Sequence, residues 1–194
     1  MDAAGPAART RTHVPGEPGL WVLILGDLLA FSAFFGVFMY HRAQRPALYA
    51  ASQTMLGAAF GLFNTLLLLT SSWFVALAVA AARSGTRPRV LRLLLAAIGC
   101  GAAFVASKAL EWGSRIAQGI TLNTDEFFTF YYMLTGFHLV HVLIGIAVLG
   151  YLFNRSRRPE PGPGYAAVME GGAAFWHLVD LLWVLLFAVL YLVK

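Results

Sequence analysis

The chain has 194 residues, 59% of them hydrophobic and only 12% charged, with a formal net charge of +5. A water-soluble domain of this length has too little interior to hide so much apolar surface, which leaves a polytopic membrane protein as the class. The positive charge does not argue for a nucleic-acid partner, because the arginines fall in short loops between apolar segments, where they set orientation in a bilayer.

Residues 1–18 are polar and rich in Pro and Gly, unlike a cleaved signal peptide. They are expected to form a flexible cytoplasmic tail, with the first apolar segment serving as an uncleaved signal anchor. Residues 19–194 read as one transmembrane domain of five helices, since a span needs roughly 20 apolar residues. No period-2 alternation suggests a barrel, so the fold class is an all-α membrane helix bundle.

The first span, about 20–40, is interrupted only by Asp27, on the order of 10 Å below the boundary by helical rise. A bare carboxylate is costly at that depth, so Asp27 must be protonated, paired or hydrated, and it is a candidate for proton exchange. The second span covers about 55–82 and the third about 93–118. Both carry runs of small residues (Gly57, Ala58, Ala59 and Gly61; Gly99, Gly101, Ala102 and Ala103) that let helices approach closely. Cys100, the single cysteine, has no intrachain partner and reads as a small packing residue. Lys108, Glu111 and Arg115, toward the far end of the third span, are spaced for ion pairing on one face, and the two cations could also snorkel outward.

The fourth span, about 127–153, puts His138 and His141 three residues apart on one helical turn, and Arg155 follows it directly. The fifth, about 171–193, carries His177 and Asp180, with Glu170 just before it. His177 enters at about the depth of Asp27, so a contact with Asp27 or Asp180 is expected to offset the desolvation of each. Lys and Arg divide nine against three between the two sides, which places the N-terminus in the cytoplasm and the C-terminus outside.

Imidazole suits Zn, Cu or Fe, so His138, His141 and His177 raise the alternative of an independent metal-dependent membrane enzyme. There is no HExxH motif, however, and two histidines on one helix face cannot be opposite axial ligands of one haem. Asp27, Glu111 and His177 raise a second alternative, a small proton-coupled transporter, although no internal repeat and no proline-broken span is visible. Walker, GxGxxG and GxS nucleophile motifs are missing, and no self-sufficient catalytic site is apparent.

Three separated segments, NTLLLLTSS at 64–72, TGFHLVHVLIG at 135–145 and EGGAAFWHLVDLLW at 170–183, resemble signature stretches of subunit III of the haem-copper cytochrome c oxidases. The opening GEPGLWVLILGDLLAFSAFFGVFMYHRAQ at 16–44 looks most like the NorE-type branch, whose members are often linked to nitric oxide reductase. The resemblance implies a five-helix short form of a family whose larger members have seven. It also implies a non-catalytic subunit in a bacterial plasma membrane that binds no haem or copper itself. Such a chain packs against a haem- and copper-bearing catalytic subunit I, with a subunit II or a cytochrome c-type subunit, binds phospholipid and aids proton supply. By motif position, Asp27 matches the family's intramembrane carboxylate, usually Glu, and Arg155 matches an arginine resembling a phospholipid phosphate ligand. His138, His141, Glu170, His177 and Asp180 fall on motif positions and, with Glu111, are expected to form a buried polar network. On this resemblance the leading expectation is a respiratory oxidase subunit, with a nitric oxide reductase accessory subunit as the alternative.

Overall fold

The computed structural model describes residues 18–158, 162 and 164–193, so all of the expected tail but Pro18, and residues 159–161 and 163 before the last helix, lie outside the described residues. All regular structure among the described residues is helical: α1 (Pro18–Gln44), α2 (Pro46–Thr54), α3 (Ala58–Arg83), α4 (Arg87–Ala117), α5 (Glu126–Ser156) and α6 (Tyr165–Phe187). The chain beyond α6 widens into a π-helical turn at Ala188–Leu192. Five helices are long and apolar enough to cross a membrane, as the sequence predicts.

The helix ends fall outside the apolar runs for local reasons. Pro88 sits in the first turn of α4, where a missing N–H costs nothing, so the helix starts at Arg87. Gly164, at φ 73°, turns the chain into α6 before Tyr165, which places Glu170 inside the helix. α5 begins where the Asp125 side chain accepts the Phe128 amide at 2.8 Å.

The short α2 was not expected. Its nine residues start with Pro46 at the first helical position, and they are too few and too polar to span. It caps the end of the bundle opposite the arginine-rich loops. Tyr49 is fully buried there, edge-on to Phe38 and Phe127. Ser52 donates to Asp125 at 2.6 Å, and Gln53 donates to the Leu190 carbonyl at 3.1 Å. His41 and Arg45 both pair with Glu126 at this same end.

α3 packs most extensively on α4, and α6 lies between α3 and α5. α6 is the hub, far more deeply buried along its length than α1. Its Trp176 explains two small residues. A Cβ on Gly145 would stand 2.6 Å from the Trp176 ring, and one on Gly101 would stand 3.0 Å away. The indole therefore fills a slot that only glycine leaves open on α4 and α5. α1 touches the rest mainly through rings: Phe31 on His141, Phe34 on Phe137, and Phe38 on Phe127 and Phe130.

Candidate functional site

The polar side chains of the spans sort into four settings, and the densest is an ion pair sealed in the bundle. Lys108 Nζ donates to Glu111 Oε2 at 2.8 Å, and both side chains are 1% exposed. Tyr131 from α5 and Tyr191 from the terminal turn each donate to Glu111 Oε1 at 2.8 Å, and Lys108 reaches both phenol oxygens at 3.2 Å. The ammonium also lies 5.0 Å from the Tyr131 and Trp183 ring centres. A pair removed from water persists only when its remaining hydrogen-bonding capacity is met, and here two phenols and a ring face meet it. The i, i+3 pairing was legible in the sequence. Lys108 turns inward, so of the two readings the spacing allowed it is the ion pair that holds, while Arg115 donates to the Met55 carbonyl rather than joining that pair.

His138 lies deeper, fully buried, with its ring 5.3 Å from Trp183 and 5.8 Å from Phe104. Neither ring nitrogen meets a hydrogen-bond partner among the described residues. His141, one turn on, faces outward to α1 instead, with Nε2 3.5 Å from Asp27 Oδ1. The two histidines that share a turn therefore serve different neighbours.

The third setting is the seam between α3 and α6. Ser72 Oγ meets His177 Nδ1 at 2.5 Å, and the Asp180 carboxylate is also within reach of that hydroxyl. Of the two partners that the sequence depth suggested for His177, Asp27 pairs with His141 instead, and Asp180 shares the Ser72 hydroxyl with His177. Equal depth fixes height in the membrane but not the side of the bundle, and α1 and α3 flank α6 on different sides. Toward the arginine-rich end of the same seam, Glu170 accepts from Arg83 at 2.8 and 3.2 Å.

The fourth setting is a groove of about 360 Å³ lined by Leu23 of α1, Ile144, Val148 and Tyr151 of α5, and Phe175 of α6. Arg155 stands at its rim, where Nη1 donates to the Tyr151 hydroxyl at 3.3 Å. Leu23 and Ile144 lie one turn from Asp27 and His141, so the groove runs from Arg155 down to that pair.

His138, His141 and His177 thus look into three separate surroundings, and no group of three or more His, Cys, Asp or Glu side chains suited to a metal exists among the described residues. The donor set does not fit the metalloenzyme alternative. Asp27, Glu111 and His177 are likewise dispersed rather than strung along one path. Sequence reasoning missed Tyr131, Tyr191, Ser72 and Arg83. Ser72 had a signal, as the last residue of the NTLLLLTSS segment, and Arg83 entered only the charge count.

The family model described as cytochrome c oxidase subunit III matches residues 15–194. A protein of Nocardia farcinica named a probable cytochrome c oxidase subunit 3 is 27% identical, covering 98% of this chain and 96% of its own. Cytochrome c oxidase subunit 3 of Thermostichus vulcanus is 29% identical over 90% of this chain and 85% of its own. Quinol oxidase subunit 3 of Bacillus spizizenii is 27% identical over the same shares.

Proposed function

Because the chain belongs to the cytochrome c oxidase subunit III family, we propose that it is a non-catalytic subunit of a respiratory haem-copper oxidase in a bacterial plasma membrane. The observation that carries this reading is the family match across residues 15–194, nearly the whole chain. The geometry supports it: the sealed Lys108 and Glu111 charges satisfy each other, and His138, His141 and His177 lie in three separate surroundings. Haem and copper belong to the catalytic subunit that this chain packs against, and the work of the chain is to hold that subunit, bind lipid and help deliver protons.

The Asp27–His141 pair carries the proton role. It lies part-exposed between α1 and α5, one group can take a proton as the other releases it, and a neutral or paired state suits its depth. The groove above it would take a phospholipid chain, with Arg155 at the rim as phosphate donor, since a guanidinium fork suits phosphate. With the arginine-rich loops cytoplasmic, both features open toward the proton-supplying side. The named relatives are cytochrome c and quinol oxidase subunits, which favours oxygen over nitric oxide. The NorE-type alternative rests on the opening segment 16–44 alone.

The test is co-purification of the tagged chain from its native membrane in mild detergent, followed by a haem absorption spectrum. A stoichiometric haem-bearing subunit that reduces oxygen is the expected result. Nitric oxide reduction would move the chain to the alternative, and a colourless chain purifying alone would overturn the reading. In the isolated complex, Asp27→Ala is expected to leave the haem spectrum unchanged and to lower sustained oxygen turnover by roughly 10²-fold at most, the low end for loss of a positioned proton carrier. Undiminished turnover in that variant would remove Asp27 from the proton route.

A further inference from the structure

His177 is in the wrong place for a lipid-facing residue. It lies twelve residues past Tyr165 in a span that runs to Leu192, near mid-membrane by helical rise. Among the described residues it is the one ionisable side chain away from the span ends that is exposed. Serine and threonine at such positions satisfy themselves on the carbonyl one turn back, whereas an imidazole has a second ring nitrogen that its own helix does not serve. Ser72 takes Nδ1 and leaves Nε2. Asp180, behind the same hydroxyl, adds a carboxylate whose Oδ1 meets no hydrogen-bond partner among the described residues. A polar chain of Asp180, Ser72 and His177 that opened onto hydrocarbon would be strongly unfavourable.

The surroundings of His177 form a track. α3 and α6 run antiparallel, and each presents a helical stripe to the outside of their seam. On α3 the stripe is Ser72, Ala76, Ala80 and Arg83, and on α6 it is Glu170, Ala174, His177 and Leu181. The ends match: Arg83 pairs with Glu170 at the arginine-rich end, and Ser72 pairs with His177 at mid-membrane. Between them lie alanines, the small residues that let another helix approach closely.

We infer that this seam is the docking surface for a membrane-spanning helix of the catalytic subunit, one that brings a hydrogen-bonding side chain to His177 Nε2 at mid-membrane depth. The identity of that partner rests on the function proposed above. The requirement for a polar helix rests on His177 alone, since lipid tails offer nothing to a ring nitrogen. An interhelical hydrogen bond of this kind helps decide whether two bundles stay together in detergent.

The experiment places the photoreactive residue p-benzoylphenylalanine at Leu181, 49% exposed one turn from His177, and at Leu29, 72% exposed on the outer face of α1. Both chains are irradiated in native membranes. The expected Leu181 adduct is with the haem-bearing subunit, in a spanning segment that carries a polar side chain, while Leu29 labels lipid. His177→Leu should lower co-purified haem subunit on the order of tenfold, the equivalent of about 1.4 kcal/mol, and His177→Asn should restore most of it. If Leu181 labels only lipid or a second copy of this chain while the haem subunit still co-purifies, the docking surface is wrong and the proposed function stands. If the chain purifies without haem and Leu181 labels a different polytopic protein, the docking surface stands and the oxidase reading falls.

Discussion

Lys108 and Glu111 lie one turn apart with neither lipid nor solvent in reach, and their energetics depend on removal in pairs. Lys108→Met alone leaves a carboxylate buried with two phenols and no cation, which should destabilise the bundle by about 3–5 kcal/mol. Adding Glu111→Gln removes the stranded charge, and the double variant is expected to recover more than half of that loss. Denaturation of the purified chain in detergent measures both, and losses that simply add would refute a mutually compensated pair. The sequence showed the two charges one turn apart because that spacing is a property of a single helix. It did not show Tyr131, Tyr191 or the Ser72–His177 bond, because contacts between helices depend on how each is rotated about its axis. Hydropathy is blind to that rotation.

At the scale of the element, α2 shows what the pattern of apolar residues omits. Its nine residues carry too little periodicity to be seen, and its position depends on Tyr49 under the ends of α1 and α5. Burial, aided by the nearby Glu126 charge, pushes the Tyr49 phenol up from 10.0 to about 12. The folded state therefore holds this proton more tightly than the unfolded state. Its contribution is intact below about pH 10 and is lost as pH rises toward about 12. Thermal melts of wild type and Tyr49→Phe should run parallel up to about pH 10 and diverge above it, with wild type falling faster. Parallel melts throughout would mean the phenol reaches water. The five spans were legible because a bilayer imposes one length and one composition on each of them. Their ends were not, since a first turn in water tolerates Pro88 and arginine as readily as leucine.

Across the whole molecule, the bundle is unevenly held, with α3 to α6 closely packed and α1 leaning on them through rings and the Asp27–His141 pair. His141→Ala should therefore loosen α1 alone. In a Cys100→Ser background, spin labels at Ser32 and Leu143 should show a broadened distance distribution in that variant. Labels at Leu69 and Leu95, on α3 and α4, should not change, and equal broadening of both pairs would contradict an independently mobile α1. The sealed ion pair also has a consequence in time. Synthesis runs from the N-terminus, so Lys108 and Glu111 enter the membrane eighty residues before Tyr191 exists to donate to that carboxylate. A nascent chain passes through a stage in which α4 holds two charges with only each other for company; α5 then brings Tyr131, and the cage is complete only when the π-helical turn delivers Tyr191. A chain stopped short of that turn keeps the mark of incompleteness inside the bilayer, where membrane quality control has a chemical signal to read.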